Sequence, residues 1–203
     1  MPPDDHTIAA QAPLVVRDDA ADTGGEFVRF ELTLYPATQA PELQSVLAHR
    51  RWSIDFPTEH VHPHQEERWE VLSGGLAVEY GGEERVLGEH ETVTLPPGVP
   101  HRIWNPLDEP SRVSLAFHPA LAAQPLTETL YVLAQLDKTN EKGHLHPVQY
   151  AVTQAAHPDH LHLTALPVSL QHALIRLLAP VGRRLGYQAT YRLASLERDP
   201  STD

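Results

Sequence analysis

The sequence predicts a mainly β protein, a closed or sandwiched antiparallel barrel with a helical tail behind it. Three observations carry this. Val28, Phe30, Leu32 and Leu34 alternate with Arg29, Glu31 and Thr33, the two-residue period of a half-buried strand. From Glu67 to His118 short apolar runs are divided by turn residues, the pattern of a many-stranded antiparallel barrel. After Pro119 the apolar spacing widens to that of a helix.

Taken in order, residues 1–24 are rich in Pro, Asp, Ala and Gly and read as a flexible arm or a loosely attached edge segment. Residues 25–120 form the barrel. Strands are expected over Glu67 to Leu72, Leu76 to Tyr80, Arg85 to Leu87, Thr92 to Leu95, His101 to Asn105 and Arg112 to His118. Gly74-Gly75 and Gly81-Gly82 supply the positive φ that tight hairpins need. The segment Pro41 to Thr58, with Arg50, Arg51 and Trp52, is long enough to form a lip over the barrel mouth.

Residues 121–203 form the helical extension. Thr127 is placed to cap a helix carrying Leu130, Leu133 and Ala134, with Asn140 and Gly143 ending it. Pro167 opens a second helix with Leu170, Ala173, Leu174, Leu177 and Leu178 on one stripe, until Pro180 interrupts. That stripe is expected to pack on the barrel or on a second subunit.

Composition narrows the function. A chain of 203 residues suits one core with an appendage. Acidic residues outnumber basic ones 27 to 15, giving a formal charge of −12, and such a surface repels phosphate backbones, so nucleic acid is not an expected partner. The absence of cysteine removes disulfides and thiolate ligands, leaving nitrogen and oxygen for any metal. The N-terminus, with Asp4 and Asp5, lacks a secretory pattern, and no apolar run approaches the ~20 residues of a membrane span. A cytoplasmic protein without a membrane partner is the expectation.

Residues 60–74 read HVHPHQEERWEVLSG and residues 96–105 read PPGVPHRIWN. Side chains two apart on a strand share a face, so His60 can point with His62, or His62 with His64. Glu67 shares its parity with Trp69 and Val71, which sets a carboxylate among inward apolar neighbours, a costly position without partners. Pro97-Gly98 suits a type II turn, after which His101, Ile103 and Asn105 lie on one face. Trp69 is a candidate pocket wall, and Ile103 and Asn105 are candidate substrate-pocket residues with it.

These two segments resemble the paired motifs of the cupin superfamily. The first motif is His60-Val61-His62, four residues, Glu67, six residues, Gly74; the second is Pro96-Pro97-Gly98, then His101, then Asn105. The resemblance covers roughly residues 26–118. It implies a jelly-roll barrel, or double-stranded β-helix, with His60, His62, Glu67 and His101 as ligands of one divalent metal ion and Asn105 closing the second motif. Its spacing favours His60 over His64 as the partner of His62. The bland alternative is a barrel whose histidines serve hydrogen bonding alone.

Three imidazoles and a carboxylate suit Fe, Mn, Ni, Co, Cu or Zn and leave positions open to a small-molecule substrate. Similarity to metal cupins implies a dioxygenase, ranked first on family habit, with Glu67 as a base toward substrate. The alternatives are an isomerase, epimerase or decarboxylase with His64 moving protons, or a non-catalytic module binding a small molecule or sugar. A homodimer is also implied. A second histidine cluster, His144, His146, His157, His160 and His162, reads as a solvated, proline-punctuated connection.

Overall fold

The computed structural model describes residues 14–36, 56–136, 138 and 145–193. The expected lip at Arg50, Arg51 and Trp52 and the expected helix stop at Asn140 and Gly143 lie outside them. The barrel is built from β1 (Leu14–Asp18), β2 (Val28–Leu34), β3 (Phe56–Val61), β4 (Glu66–Ser73), β5 (Leu76–Tyr80), β6 (Glu83–Leu87), β7 (Thr92–Leu95), β8 (His101–Trp104) and β9 (Ser111–His118). With β10 (His162–Leu163) from the extension, two five-stranded antiparallel sheets result, in the orders β1-β2-β9-β4-β7 and β10-β3-β8-β5-β6. The strands from β4 to β9 lie where the turn residues place them, within a residue or two at their ends.

Alternation decides which face goes inward. In β2, Val28, Phe30, Leu32 and Leu34 are buried while Arg29 is exposed. Its ladder with β9 runs unbroken from Val28 opposite Phe117 to Leu34 opposite Ser111. Trp69, Val71, Val113 and Leu115 join Phe30 in the core between the sheets, each contributing about 1.5–3 kcal/mol of transfer free energy. The β5–β6 hairpin turns at Gly81 and Gly82, both at positive φ (61° and 81°), as its right-handed twist requires.

At the N-terminus, of the two expectations for residues 1–24, residues 14–18 follow the edge segment and not the arm: they form β1, at the edge of its sheet, paired with β2 from Leu14 opposite Leu32, with Leu14 buried. The alternation there is too short to stand out, and the ladder with β2 supplies what the pattern lacks.

The extension differs more. Helix α1 (Ala123–Gln135) begins after Ala122 without a side-chain cap, so Thr127 lies inside it, 6% exposed. An N-cap stabilises by about 1 kcal/mol, whereas burying Ala123 and Leu126 gains more, and burial sets the start. The supposedly solvated histidine segment contains α2 (Pro147–Gln154), with Pro147 in its first turn and the His146 ring accepting the Val148 N–H at 3.3 Å. It then returns to the barrel as β10 (His162–Leu163), pairing with β3.

Helix α3 (Val168–Arg184) runs through Pro180. It continues because Ala179 and Gly182 bury against α2, offsetting the hydrogen bond that proline cannot make. Among the described residues Leu170, Leu174 and Leu177 remain 44%, 40% and 67% exposed. No helix among the described residues is long and apolar enough to cross a membrane.

Gly182 sets the approach of α2 and α3. A Cβ there would overlap Val152 Cγ2 and lie 2.8 Å from Val148 Cγ1, and neither branched side chain can swing aside. Gly182→Ala should therefore lower stability by about 1–3 kcal/mol, although alanine gains up to ~1 kcal/mol of helix propensity. A thermal melt matching or exceeding that of the parent would overturn this reading.

Candidate metal centre

The two sheets meet chemically at one point. His60, at the end of β3, stands directly opposite His101 on β8, so both rings project from the same face, their centroids 4.4 Å apart. His62 follows two residues later on the same side. From the other sheet, β4 brings Glu67 between Leu95 and Phe117. All four are buried, at 2–4% exposure, and one ligand atom from each lies within 4.8 Å of the others.

The carboxylate is held on both oxygens. Trp69, two residues along β4 and on the same face, donates its indole N–H to Glu67 Oε2 at 2.8 Å. Oε1 then faces His62 Nε2 at 2.8 Å and His101 Nε2 at 3.3 Å. Burial alone pushes the Glu67 carboxyl up, but the His62 and His101 imidazoles beside it overcome this and hold it well below the usual carboxylate range. His101 shows the reciprocal effect: burial pushes it down, and the Glu67 carboxylate raises it above an ordinary imidazole.

The far nitrogens are fixed as well. His62 Nδ1 donates to the carbonyl of His160 at 2.8 Å, and His101 Nδ1 donates to that of Val99 at 2.9 Å. A carbonyl only accepts, so each ring presents its Nε2 to the cluster. A lone pair on Nε2 opposite a carboxylate oxygen needs a proton or a cation between them. His101 Nε2 is shielded from solvent and, despite its 3.3 Å approach to Glu67, makes no well-directed hydrogen bond. The donor set therefore fits a divalent cation of borderline softness.

A cavity with interior room of about 30 Å³, within a recess of about 450 Å³ counting its open mouth, adjoins the cluster. A space of that interior size holds roughly two waters. Trp69 and Ile103 stand on its wall, as do Leu115 and Phe117. The extension supplies the remainder, with Leu126, Thr127 and Leu130 from α1 and His160 and Leu161 ahead of β10.

Two residues singled out from sequence lie elsewhere. His64 is exposed in the turn after Pro63 and takes no part in the cavity wall. Asn105 is buried but structural: its Nδ2 donates to the carbonyls of Leu34 (3.0 Å) and Glu109 (2.8 Å), and its Oδ1 accepts from Leu107 N (2.9 Å). It ties β8 to β2 and is not on the cavity wall.

His160, read from sequence as part of a solvated loop, is the residue that reading missed. It is 5% exposed, its ring lies 4.9 Å from that of His62, and its Nδ1 has no hydrogen-bond partner. Burial, followed by the neighbouring His62, pushes its pKa well below the ordinary imidazole value. Only a strand pairing a hundred residues away in sequence brings it here, and no local spacing signals that.

Residues 55–117 match the family model described as a cupin domain. Among known proteins the chain is similar to an oxidoreductase of Arthrobotrys oligospora, 47% identical over 49 residues, which is 24% of this chain and 19% of that protein. Among solved structures it is similar to a Cupin 2 conserved barrel domain protein from Salinispora arenicola, at 18% identity over 52% of this chain and 73% of that one, with a TM-score of 0.36. It is also similar to a sugar phosphate isomerase of the cupin superfamily from Silicibacter pomeroyi, at 17% identity over 56% and 64% of the two chains, with a TM-score of 0.38. The family match falls on the strands that carry all four clustered side chains, so the likeness to a cupin domain is a property of the barrel, residues 55–117.

Proposed function

We propose that the cavity is the active site of a metal-dependent enzyme acting on a small, oxygen-rich metabolite, an oxidoreductase of the dioxygenase type. The observation that carries this reading is the convergence of His60, His62, Glu67 and His101 at the edge of a mostly apolar cavity. The local similarity to an oxidoreductase supports oxidative over isomerising chemistry. Held by those four residues, a divalent ion would supply Lewis acidity toward a chelating enol or diol and, if iron, one-electron chemistry with oxygen.

The chain's own residues have distinct parts. Trp69 orients Glu67 so that Oε1 faces the His62 and His101 imidazoles. A carboxylate held this far below its usual range is a weak base, which assigns Glu67 to ligation and not to proton removal from substrate. His64 is exposed away from the cavity, so proton movement does not fall to it. His160 and Thr127 are the polar groups on the wall, placed to hydrogen-bond a substrate. Ile103, Leu115 and Phe117 keep the rest dry, which strengthens electrostatic contacts inside.

The test is oxygen uptake by the iron(II)-reconstituted protein across a panel of enols and vicinal diols. A substrate-dependent rate should appear and should be lost in His60→Ala together with one equivalent of bound metal. Flat traces from fully loaded protein would sink the dioxygenase reading and favour isomerisation or binding. Trp69→Phe should keep the fold and weaken metal binding about 10–100-fold, the usual cost of removing a group that orients a ligand. Unchanged affinity in chelator competition would remove that role from the indole.

The buried imidazoles also give the metal-free protein a pH signature. His160 is kept neutral by burial while its unfolded counterpart protonates near ~6.5, so the unfolded state binds more protons below that pH. Stability should fall as pH drops from 6.5 to 5, by up to about 1.4 kcal/mol per unit for His160. His157, lowered by partial burial, adds a smaller amount in the same direction. The stabilisation from raised His101 is already complete in this window and is lost only on going upward, whereas that of Glu67 is lost below it. Chelated protein melting at the same temperature at pH 6.5 and 5 would contradict this assignment.

A further inference from the structure

A second set of metal-ligating side chains meets on the other side of β3. Because β10 pairs with β3, Leu163 stands opposite His60 and His162 opposite Val61. Directly paired residues of an antiparallel ladder point to the same face. Leu163 therefore shares the inner face of His60, and His162 shares the outer face of Val61. The cavity and its four-residue cluster lie on the inner side.

On the outer side the His162 ring meets the His172 ring of α3, with centroids 5.4 Å apart and planes at 65°. Asp159, in the turn ahead of β10, brings a carboxylate to the same place. One ligand atom from each of Asp159, His162 and His172 lies within 4.8 Å of the others. His172 Nε2 is shielded from solvent and has no hydrogen-bond partner. A buried polar atom left in this way costs about 1–3 kcal/mol, a cost that a bound cation would offset.

The three side chains are also held by a rigid frame. Gln171, beside His172 and only 6% exposed, accepts from Leu163 N at 3.1 Å and donates to the carbonyls of Leu163 and Leu166, each at 2.7 Å. It fastens the first turn of α3 to β10, the strand that carries His162. On the other edge, Thr164 N donates to the carbonyl of Glu59 at 3.2 Å and continues the β10–β3 ladder. Ligand spacing is thus set by the backbone pairing before any ion binds, which reduces the ordering cost of binding.

We propose that Asp159, His162 and His172 form a second divalent-cation site, distinct from the barrel cluster, that takes a borderline ion such as Zn²⁺, Ni²⁺ or Cu²⁺. Two imidazoles and one carboxylate suit these ions and disfavour Mg²⁺ and Ca²⁺, which demand oxygen. Three protein ligands leave the remaining positions to water. Bound there, the ion ties α3 to the edge strand of the barrel. His162 belongs to the histidine segment that reads from sequence as a solvated connection, and His172, on the following helix, joins it only in the folded chain.

The experiment is equilibrium dialysis of the stripped full-length protein against micromolar Zn²⁺, read by elemental analysis. Two equivalents should bind. His172→Gln and Asp159→Asn should each lose one and keep the other, while His101→Ala should lose the barrel equivalent alone. His90→Asn, at an exposed histidine outside both clusters, should lose none. If the barrel holds no Zn²⁺, the parent binds one equivalent, and His172→Gln removes it while His101→Ala does not. Zn²⁺ should also raise the melting temperature of the parent by more than it raises that of His172→Gln. Equal Zn²⁺ stoichiometry in the parent and His172→Gln would overturn the proposal.

Discussion

Everything near the centre of this barrel depends on how it accommodates one buried carboxylate. Glu67 sits 2% exposed between two sheets, in a core otherwise made of Trp69, Leu115 and similar side chains. An ionised carboxylate taken out of water costs several kcal/mol even after relaxation, more than any single neutral hydrogen bond returns. The structure answers with an indole donor on one oxygen and two imidazoles on the other, and it fixes those imidazoles through backbone carbonyls of Val99 and His160. The arrangement is a negative centre ringed by nitrogen donors, which a cation completes.

That constraint explains which parts were legible in the sequence. Strand alternation in β2 and β4 fixed the inward faces, because a two-residue period has only two phases and one of them buries Arg29 or Arg68. The spacing from His60 to Glu67 and from Pro96 to His101 placed four polar residues in an apolar interior. Parity also put Trp69 on the wall beside Glu67, although its hydrogen bond to Oε2 lies beyond anything a pattern specifies.

What failed to show was set by contacts distant in sequence. Thr127 carries a cap-forming side chain, yet burial of Ala123 and Leu126 moves the helix start five residues earlier and leaves Thr127 facing the cavity. Pro180 usually ends a helix, yet Gly182 packs so closely on Val148 and Val152 that the helix continues past it. His160 stands in a polar, histidine-rich stretch whose composition signals solvent. It is buried because the chain folds back there to pair β10 with β3. Asn105 shows the opposite error: its parity with His101 suggested a pocket residue, while its amide is consumed by the backbone of Leu34, Leu107 and Glu109.

The two halves of the chain therefore carry different information about function. The ligand set comes wholly from the barrel, from strands whose ladders fix it to within a residue. The polar wall of the cavity comes from the extension, where His160 and Thr127 face the space a substrate would occupy. A ligand set of this kind supports oxidation, isomerisation or simple binding equally well, so discrimination among them falls to groups that touch the substrate. Similarity confined to the barrel, as in the family match over residues 55–117, follows the ligands and misses those groups. The extension is then more than a covering: its carbonyl at residue 160 orients His62, and its side chain at the same residue lines the cavity. The orientation of His62 and the lining of the cavity are coupled through that one residue, and a change in the path of the chain between α2 and β10 would alter both together.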